Sequence, residues 1–514
     1  MIRAYDAETV RAAEAPLLEA GVPLMREAAR ALANRTVREL ERLGARVPGS
    51  VVLALVGGGV EGVAAVVPAA DLARRGVQVH AALCSNTVHE EGLAAARAAG
   101  VRVTRVVSAG RDADLDAVID LARRSGVWLD GLAGIGLSGP LRDPLSGIVA
   151  ALAEERAVSP DEPVVIAIDV PSGVGDDGAV RGPILPADVT VTMGVAKPGL
   201  LLPPTALHAG EIQVVELGLP VAELKYRAGR LGAADVADLY AWPEQDDHKY
   251  TRGVVGIWAG SARFPGAAIL CTAGALATGP GMVRYLGQVE GVPLVHPEVV
   301  TADGQIQAAV VGSGIDPTSI ARPALDAAFA RGVPVVVDAG ALADLPAAIA
   351  MRANPAPVVI TPHAGELATM LGVSRRDVER HPARRAHEVA EKLGVIVLLK
   401  GPTTIVVPPE GPIYSQADST PWLATAGTGD VLAGVAGTLI ALAQARAEDE
   451  GDTLRELEVA RLAAAASWLH GQAGRRASTV RVRTAAGKRR VGSGPIRARD
   501  VAAAVPAVLS GLSG

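Results

Sequence analysis

The chain has 514 residues, which is too long for one hydrophobic core, so its length predicts two or more domains. Apolar residues make up 49% and charged residues 20%, which is globular, while only 3% are aromatic, so the cores must be built from Ala, Val and Leu. The formal net charge of −6 gives no basic surface for nucleic acid, and no long apolar span or signal-like amino terminus is present. We therefore expect a cytoplasmic protein that binds neither nucleic acid nor membrane. Cys84 and Cys271 lie far apart without metal-ligand spacing, so neither a disulfide framework nor a zinc site is implied.

Valine-rich apolar runs recur along the first half, separated by Ala- and Arg-rich stretches with helical spacing. This pattern predicts buried parallel strands with helices between them. The runs are VVLALVGG, VQVHAAL, VWLDGLAG, PVVIAIDV and DVTVTMG. A further strand is predicted in GEIQVVELGL, after which the sequence turns polar and charged. We place a domain boundary there, giving domains 1–224 and 225–514.

The stretch VGGGVEGVAAVV, residues 56–67, joins an apolar strand to a helix-like segment through three glycines. The first amides of a helix have no partner inside it, so this geometry favours an anion such as a phosphate. The side chains do not hold one, because Val60, Val63 and Ala64 can donate nothing and Glu61 would repel it. The geometry alone leaves open whether the loop works.

The second half repeats the strand pattern in VVGIWAG, AAVVGSG, PVVVDAG, PVVITPH, VIVLLKG and TTIVVPP. The fold class predicted for the whole chain is therefore α/β, with two tandem three-layer domains. Near the carboxyl end, RRASTVRVRTAAGKRRVGSG is basic and has no amphipathic period. It is typical of a surface loop or flexible insert, with an anionic ligand as the alternative.

Three polar segments follow strands of the second half. TPHAGE offers His363 and Glu366, KGPTT offers a lysine and two hydroxyls for a nucleotide, and ATAGTGD precedes a long apolar helix. Because ligand sites in open α/β sheets lie beyond the carboxyl ends of strands, we expect all three in one crevice.

The ATAGTGD segment offers an anion hole and a candidate base. The amides of Ala426, Gly427, Thr428 and Gly429 can converge on a developing negative charge. Asp430, in the first turn of the helix, could take the proton from a substrate hydroxyl that attacks phosphorus, or could be only a helix-terminal charge.

Five motifs occur in order from about residue 246 onward: HKYTRGVVGIWAGSARFPGAAIL, VVVDAGAL, TPHAGE, LLKGPTTIVV and ATAGTGDVLAG. Together they resemble the ADP- or ATP-dependent NAD(P)H-hydrate dehydratases, ribokinase-like enzymes that repair hydrated nicotinamide cofactors. The resemblance implies a ribokinase-like C-terminal domain. It also implies that the 6-hydroxyl of the S hydrate of NADH or NADPH is phosphorylated and that phosphate then leaves.

The resemblance implies roles for individual residues. Asp430 is the base. Glu366 acts on Mg²⁺ through water. The hydrate site is lined by Ala267, Gly314 and His363. The adenine nucleotide, ADP or ATP, is contacted by Lys400, Gly401, Pro402, Thr403, Thr404, Gly427 and Gly429. The segments GSGID, DAGAL and ATGPGMV depart from the family pattern and put substrate affinity in doubt more than reaction type.

The first half resembles the NAD(P)H-hydrate epimerases through DGLAGIGLSGPLRDP, IDVPSGVGDDGAVRG, ADVTVTMGVAKPGLL and GEIQVVELGL. A Rossmann-like domain is implied, in which Asp169 binds the hydrate and assists at the reacting carbon. Asp130 and Ser172 give oxygens to K⁺, and the dinucleotide lies against GIGLSGP, which contains Gly134 and Gly136. Alternatively, Asp169 and Ser172 cap a turn, and Lys197 is a solvated charge.

The glycine loop departs from this family's form, Gly-x-Gly-Asn-Asn-Gly-Gly-Asp. Val60 and Glu61 replace the asparagines, Val63 a glycine and Ala64 the aspartate, so Glu61 stands where an amide oxygen would reach K⁺. At Val63 a positive φ or a close backbone approach would be costly. Each lost hydrogen bond to a charged ligand costs about 1.5–3 kcal/mol. We therefore predict that the N-terminal domain is a weak or inactive epimerase, or binds another ligand.

Two other functions remain open on sequence alone. A kinase of a small hydroxymethyl compound or sugar would use the same anion hole and base, and a nucleotide-binding scaffold would use neither catalytically. The ribokinase-like resemblance also makes a homo-oligomer an expectation.

Overall fold

The computed structural model describes the chain except for residues 88, 108–112, 135–138, 161, 317–320, 484–488 and 514. The backbone contacts divide it into two compact units. The N-terminal unit is Ile2–Ala228, and the C-terminal unit is Gly229–Gly514 together with Met1.

The strands of the N-terminal unit are β1 (Ile2–Ala4), β2 (Val51–Val56), β3 (Gln78–Leu83), β4 (Arg102–Arg105), β5 (Val127–Gly131), β6 (Val164–Ile168), β7 (Val189–Met193) and β8 (Glu211–Val215). Its helices are α1 (Ala7–Glu19), α2 (Leu24–Arg42), α3 (Gly59–Arg74), α4 (Glu90–Ala98), α5 (Leu115–Arg123), α6 (Leu145–Val158) and α7 (Pro198–Leu201), with a 3₁₀ turn at Thr205–His208.

A parallel sheet with the order β4-β3-β2-β5-β6-β7-β8 forms the centre of this unit. Strands β2, β5 and β6 are apolar and almost wholly buried, because helices cover both faces of the sheet. The chain leaves β2 toward β3 on one side and returns to β5 on the other. The carboxyl ends of β2 and β5 therefore form the topological switch point where such sheets bind ligands.

The strands of the C-terminal unit are β9 (Ala228–Arg230), which begins at the junction, β10 (Val254–Trp258), β11 (Met282–Tyr285), β12 (Ala308–Val311), β13 (Val335–Val337), β14 (Val358–Ile360), β15 (Ile396–Leu399), β16 (Thr404–Val407), β17 (Ile413–Gln416), β18 (Thr479–Arg483) and β19 (Arg489–Ser493). Its helices are α8 (Ala233–Leu239), α9 (Pro265–Ala277), α10 (Val292–Val295), α11 (Ala321–Phe329), α12 (Leu345–Met351), α13 (Ala364–Leu371), α14 (Arg375–Arg380), α15 (Pro382–Leu393), α16 (Thr428–Asp449), α17 (Glu456–Ser478) and α18 (Ala498–Ser510), with 3₁₀ turns at Ala339–Leu342 and Pro421–Leu423.

The C-terminal sheet runs in the order β9-β17-β16-β15-β14-β13-β12-β10-β11. Strands β10 to β15 pair in parallel, whereas β16 is antiparallel to both neighbours. The expectation of a parallel strand in TTIVVPP is therefore wrong. Only the short segment KGPT separates β15 from β16, and a parallel pairing needs a crossover of a dozen or more residues.

Two apolar cores, one on each face of this sheet, give the three layers that the sequence predicts. Helix α16 lies in one core and packs so closely on α9 that a Cβ at Gly434 would lie 2.0 Å from the Cys271 carbonyl oxygen. By length and composition α16 could cross a membrane, but 83% of its apolar window is buried within the protein. That burial is typical of a core helix in a globular protein.

In its described residues, 475–483 and 489–493, the basic carboxyl-terminal run is helical or extended and not an irregular loop. Strands β18 and β19 pair antiparallel after the end of α17. In β18, TVRVR, valine alternates with Thr and Arg as in a strand, which explains why no helical period was visible.

Candidate functional site

The C-terminal site is organised around the buried carboxylate of Asp338, which follows β13 directly. The Ser313 hydroxyl, after β12, donates to Oδ2 at 2.9 Å. The Thr361 hydroxyl, after β14, donates to Oδ1 at 2.7 Å. The Lys400 ammonium, after β15, lies 3.0 Å from the same oxygen. Four adjacent strands thus send their first polar side chains to one point at the carboxyl edge of the sheet.

Asp430 lies beside this cluster as the third residue of α16 and is only partly exposed. Burial raises the pKa of its carboxyl to about 7, and the negative charge of Asp338 adds to the increase, whereas Lys400 and a hydrogen bond with Ser313 act the other way. Asp430 can therefore gain and lose a proton near neutral pH. That property suits a general base.

Lys400 connects this cluster to the glycine-rich turn before α16. A Cβ at Gly429 would lie 3.4 Å from its ammonium nitrogen. Burial acts to lower the pKa of Lys400, but the carboxylates of Asp338, Glu366 and Asp430 outweigh it, and the net change is upward. The ammonium is therefore charged, and 22% of the Lys400 side chain is exposed.

The rest of the KGPTT segment forms the turn between β15 and β16. Gly401 and Pro402 are exposed, and the Thr404 hydroxyl contacts the Gly401 carbonyl at 3.4 Å. Thr403 is buried, and among the described residues its hydroxyl has no hydrogen-bond partner. Buried polar groups in folded proteins nearly always have a partner, so this hydroxyl is an exception at the site.

The amides of the predicted anion hole are not equivalent. The Thr428 amide donates to the Thr425 carbonyl at 3.3 Å, so this one is already engaged within the turn. Among the described residues, no backbone carbonyl accepts from the amides of Ala426, Gly427 and Gly429. Gly427 has φ +91° and precedes α16, and a Cβ there would lie 2.5 Å from Leu270, so the turn requires glycine. Of the four amides expected in the hole, one is therefore engaged within the turn and three have no backbone acceptor among the described residues.

His363 and Glu366 form a reciprocal cap at the start of α13. His363 Nδ1 accepts from the amides of Gly365 and Glu366 at 3.0 and 3.1 Å, and the His363 amide donates to Glu366 Oε2 at 2.8 Å. The opposite ring nitrogen, Nε2, lies 3.7 Å from Glu366 Oε2, and 59% of the His363 side chain is exposed. His363 also pairs with Lys400 through a backbone bridge, so TPHAGE and KGPTT share one crevice.

Ala267 and Gly314, the remaining residues predicted to line the hydrate site, are in contact. A Cβ at Gly314, which has φ +66°, would lie 2.4 Å from the Ala267 Cβ. Next to them, the GSGID and DAGAL loops pack closely at Gly312 and Gly340. A Cβ at Gly312 would collide with the Asp338 carbonyl, and a Cβ at Gly340 with the Ile315 carbonyl. The two departures from the family pattern therefore form one packed surface.

In the N-terminal unit Asp169 has a buried partner that the sequence did not identify. Lys197 is 1% exposed, and its ammonium donates to Asp169 Oδ1, to Thr192 Oγ1 at 3.2 Å and to the Met193 carbonyl at 2.9 Å. Asp169 itself has φ +68°, an uncommon conformation that directs its side chain toward this group. Lys197 is therefore not a solvated charge.

Two further carboxylates lie around this pair. Burial raises the pKa of Glu14 on α1 and of Asp176, and in both cases the charge of Asp169 adds to the increase while Lys197 opposes it. The result is an acid–base cluster beyond β6 and β7.

Asp130 and Ser172 are brought together, as the sequence predicted, but each already binds the other. The Ser172 hydroxyl and amide donate to the two oxygens of Asp130 at 2.6 and 2.8 Å. Burial raises the pKa of the Asp130 carboxyl to about 6. In the part of the chain that the structure describes, no group of three or more His, Cys, Asp and Glu side chains could hold a metal ion. This arrangement stabilises the turn after β6 and gives no separate support for K⁺.

The glycine loop has the strand–turn–helix form that the sequence predicts, since β2 ends at Val56 and α3 begins at Gly59. The costly positive φ considered for Val63 does not occur, because Val63 lies inside α3 and is not among the residues with a positive φ. Close approach occurs one residue earlier, where a Cβ at Gly62 would lie 2.4 Å from the Gly57 carbonyl.

Other residues predicted for this site are described in part. The backbone of Glu61 lies in the first turn of α3, and its side chain is not among the described parts of the structure. Gly134 is buried shortly after β5, whereas Gly136 lies outside the described residues.

Comparison with known proteins agrees with both halves of this description. Residues 255–489 match the family described as NAD(P)H-hydrate dehydratase, and residues 22–199 match the family described as YjeF-related protein N-terminus. The bifunctional NAD(P)H-hydrate repair enzyme Nnr of Mycobacterium tuberculosis is 40% identical over 451 residues, covering 85% of this chain and 89% of that protein. The chain belongs to the bifunctional NAD(P)H-hydrate repair enzyme family. The resemblance read from the motifs is thus confirmed.

Two further relatives and one solved structure are also similar to this chain. The Mycobacterium leprae enzyme of the same name is 39% identical over 456 residues, covering 86% of this chain and 90% of its own. The NAD(P)H-hydrate epimerase of Clavibacter michiganensis is 45% identical over 222 residues, covering 42% of this chain and 91% of its own. The ADP/ATP-dependent NAD(P)H-hydrate dehydratase of Bacillus subtilis, solved with ATP and Mg²⁺, has 24% identity and a TM-score of 0.46, covering 55% of this chain and 97% of its own.

The sequence of this family member predicted that Asp430, Lys400, His363 and the glycine turn lie at one edge of the C-terminal sheet. It did not identify Asp338. The signal was present, because Asp338 is the first polar residue after the buried run VVV, the same position in a strand that selected Lys400. Lys197 gave a weaker signal, since nothing in its sequence neighbourhood shows that it is buried.

Proposed function

We propose that the C-terminal unit dehydrates the S hydrate of NADH or NADPH at the expense of ADP or ATP. Asp430 takes the proton of the 6-hydroxyl as that oxygen attacks the terminal phosphorus of the nucleotide, whose bridging P–O bond breaks. The C6–O bond of the phosphorylated hydrate then breaks, inorganic phosphate leaves, and C5 loses a proton to give NAD(P)H. A hydroxyl is a poor leaving group and phosphate a good one, which is why a nucleotide is needed.

The observation that supports this proposal best is the position of Asp430. It lies in the first turn of α16 next to three open amides and the Lys400 ammonium, and burial raises its pKa to about 7. Negative charge that develops on the transferring phosphoryl group can be stabilised by the amides and the ammonium. The remaining nucleotide residues, Gly401 to Thr404, lie next to Lys400 on the same turn.

Glu366 is the group that would hold Mg²⁺, through water, because only one of its oxygens is used in capping α13. When bound, this ion neutralises charge between nucleotide phosphates.

The test compares Asp430→Asn with the wild type and with Asp246→Asn, an exposed carboxylate of the same unit. With the S hydrate of NADH and ADP, we expect the wild type and Asp246→Asn to generate the absorbance of reduced nicotinamide and one inorganic phosphate per turnover. Asp430→Asn should lose turnover by about 10²-fold or more while binding ADP with unchanged affinity in calorimetry. Unchanged turnover in Asp430→Asn would contradict the proposal, and a stable phosphoester without free phosphate would instead indicate a small-molecule kinase.

We further propose that the N-terminal unit is a weak epimerase of the R hydrate. The pair of Asp169 with the buried Lys197 supports chemistry in this unit, but the loop at the switch point has valine and alanine at positions 60 and 64, where the family has polar side chains, and valine for glycine at position 63. The substrate would therefore be held mainly by backbone amides.

A mixture of R and S hydrates with ADP and K⁺ tests this in the full chain. We expect the S fraction to be consumed fast and the R fraction to persist near its spontaneous rate of epimerisation. Replacing positions 60, 61, 63 and 64 together by Asn, Asn, Gly and Asp should abolish the slow phase. A single fast phase in the wild type would show that the unit is an active epimerase.

The cytoplasmic location and the homo-oligomeric state belong to the same proposal. The mixed composition and acidic net charge support a protein of the cell interior. Light scattering after size-exclusion chromatography would measure the number of subunits, and a monomer at micromolar concentration would contradict the oligomer.

A further inference from the structure

The Asp338 carboxylate is the best-buried charge at the C-terminal site, and no role has yet been given to it. It is 1% exposed and receives hydrogen bonds from Ser313, Thr361 and Lys400. We propose that Asp338 is a positioning residue for phosphoryl transfer, which fixes the Lys400 ammonium beside the anion hole and places a fixed negative charge behind Asp430. This inference rests on the proposed dehydratase reaction.

A purely structural role explains these contacts poorly. Taking a carboxylate and an ammonium out of water costs several kcal/mol per ion before their attraction is counted, and well-packed apolar residues often stabilise a fold as well or better. Here the chain places the pair where four strands end and α16 begins. The location favours a function for the charge rather than a contribution to stability.

The first consequence concerns the direction of the Lys400 side chain. A lysine has a flexible four-carbon stem, so its ammonium has no fixed position unless another group holds it. Asp338 accepts one of its three protons at 3.0 Å, and the nitrogen then lies 3.4 Å from where a Cβ of Gly429 would be. The two remaining protons are available to phosphate oxygens. Without Asp338, we expect the ammonium to sample positions away from the anion hole.

The second consequence concerns the ionisation of Asp430. The charged groups that act on it are Asp338 and Lys400 from the sheet, and the Ser313 hydroxyl and the buried Cys271 thiol of α9 also face this group. From α17, His470 reaches the Thr428 backbone, and burial lowers its pKa to about 4, so it carries no charge at neutral pH. Asp338 is thus the one anion among these groups that raises the pKa of Asp430. A base with a pKa near the working pH transfers protons most effectively.

The experiment measures the pH profile of kcat/KM for the S hydrate at saturating ADP, together with the KM for ADP. In Asp338→Asn, we expect kcat to fall at least 10-fold and the KM for ADP to rise. The acid limb should move to lower pH by about one unit, the scale of shift that one nearby charge produces. Asp246→Asn should reproduce the wild-type profile. A structural defect would lower activity equally at every pH, so an acid limb that stays in place in folded Asp338→Asn would overturn the inference.

Asp338→Glu provides a second variant if Asp338→Asn does not fold. It keeps the charge but moves the carboxylate by one methylene, so we expect an unmoved acid limb with a lower kcat and a higher KM for ADP. Wild-type kcat and KM in Asp338→Glu would contradict the positioning role. Failure of the inference differs from failure of the proposed function, because only the latter leaves the wild type without turnover of the S hydrate.

Discussion

The Lys400 ammonium and the Asp338 carboxylate lie 3.0 Å apart, and the two side chains differ in their access to water. Asp338 has 2% of its side chain exposed and Lys400 has 22%. The loss of one partner therefore leaves the other in a different environment. Lys400 can turn toward water, whereas Asp338 cannot.

This difference predicts an asymmetric double-mutant cycle. Lys400→Met leaves a buried carboxylate without its cation and should lower the free energy of unfolding by about 1–3 kcal/mol. Asp338→Asn should cost less, and the double variant should cost less than the sum of the two. Urea denaturation measures all four proteins, with the exposed Lys392→Met of α15 expected within about 0.5 kcal/mol of the wild type. Additive costs would show that the pair contributes no coupling.

The contact between α16 and α9 gives a prediction about packing. A Cβ at Gly434 would lie 2.0 Å from the Cys271 carbonyl oxygen, and backbone cannot move aside as a side-chain tip can. Gly434→Ala should therefore destabilise the C-terminal unit by about 1–3 kcal/mol in spite of the better helix propensity of alanine. Gly266→Ala on α9 is the matched control, since its Cβ would meet nothing within 4 Å. Equal melting temperatures of the two variants would contradict this account of the contact.

The sequence predicted those strands whose residues are buried on both faces, because such strands read as unbroken apolar runs. It missed β4 and β11, which lie at the edges of their sheets and carry arginines. It also missed β17, whose segment IYSQ has two polar residues in four. Edge and polar strands are specified by their neighbours in the sheet, and these contacts are not visible in the local sequence.

In the site, too, the local sequence predicted some residues and not those that depend on tertiary packing. Position after a strand was enough to bring Lys400, His363 and Asp430 together, because parallel strands end at one edge. The Lys197–Asp169 pair could not be predicted in this way, since the burial of a lysine depends on how α7 packs in three dimensions. Asp169 also has a positive φ, which its residue type does not predict.

Lys197→Met tests the pair in the N-terminal unit. The substitution keeps the length of the buried stem but removes the three donors to Asp169, Thr192 and Met193. We expect a loss of about 1–3 kcal/mol in the free energy of unfolding of this unit, and a loss of any epimerisation above the spontaneous rate. The exposed Lys225→Met of the same unit should change neither. Unchanged stability in Lys197→Met would show that Asp169 is satisfied by its other donors.

Asp430 connects catalysis to stability through its ionisation. Burial, with Asp338, raises its pKa to about 7 from the ordinary 3.8 of an aspartate, so the folded protein holds a proton that the unfolded chain has lost between these pH values. As the pH rises through 7, the folded state must bear the unfavourable charge, and stability falls. Asp430→Asn should therefore be neutral near pH 4 and more stable than the wild type above pH 7, by about 1–3 kcal/mol after allowance for partial exposure.

Thermal unfolding at pH 5 and pH 8 measures this difference, with Asp246→Asn expected to follow the wild type at both. The favourable interaction of a carboxylate with the first turn of a helix opposes the gain, but it is worth only about 0.3–1 kcal/mol. If Asp430→Asn were equally destabilised at both pH values, that helix interaction would dominate, and the carboxyl would not have the raised pKa on which its role as a base depends. A variant that is inactive and yet more stable at pH 8 would show that the fold keeps this charge for catalysis, at a cost to its own stability.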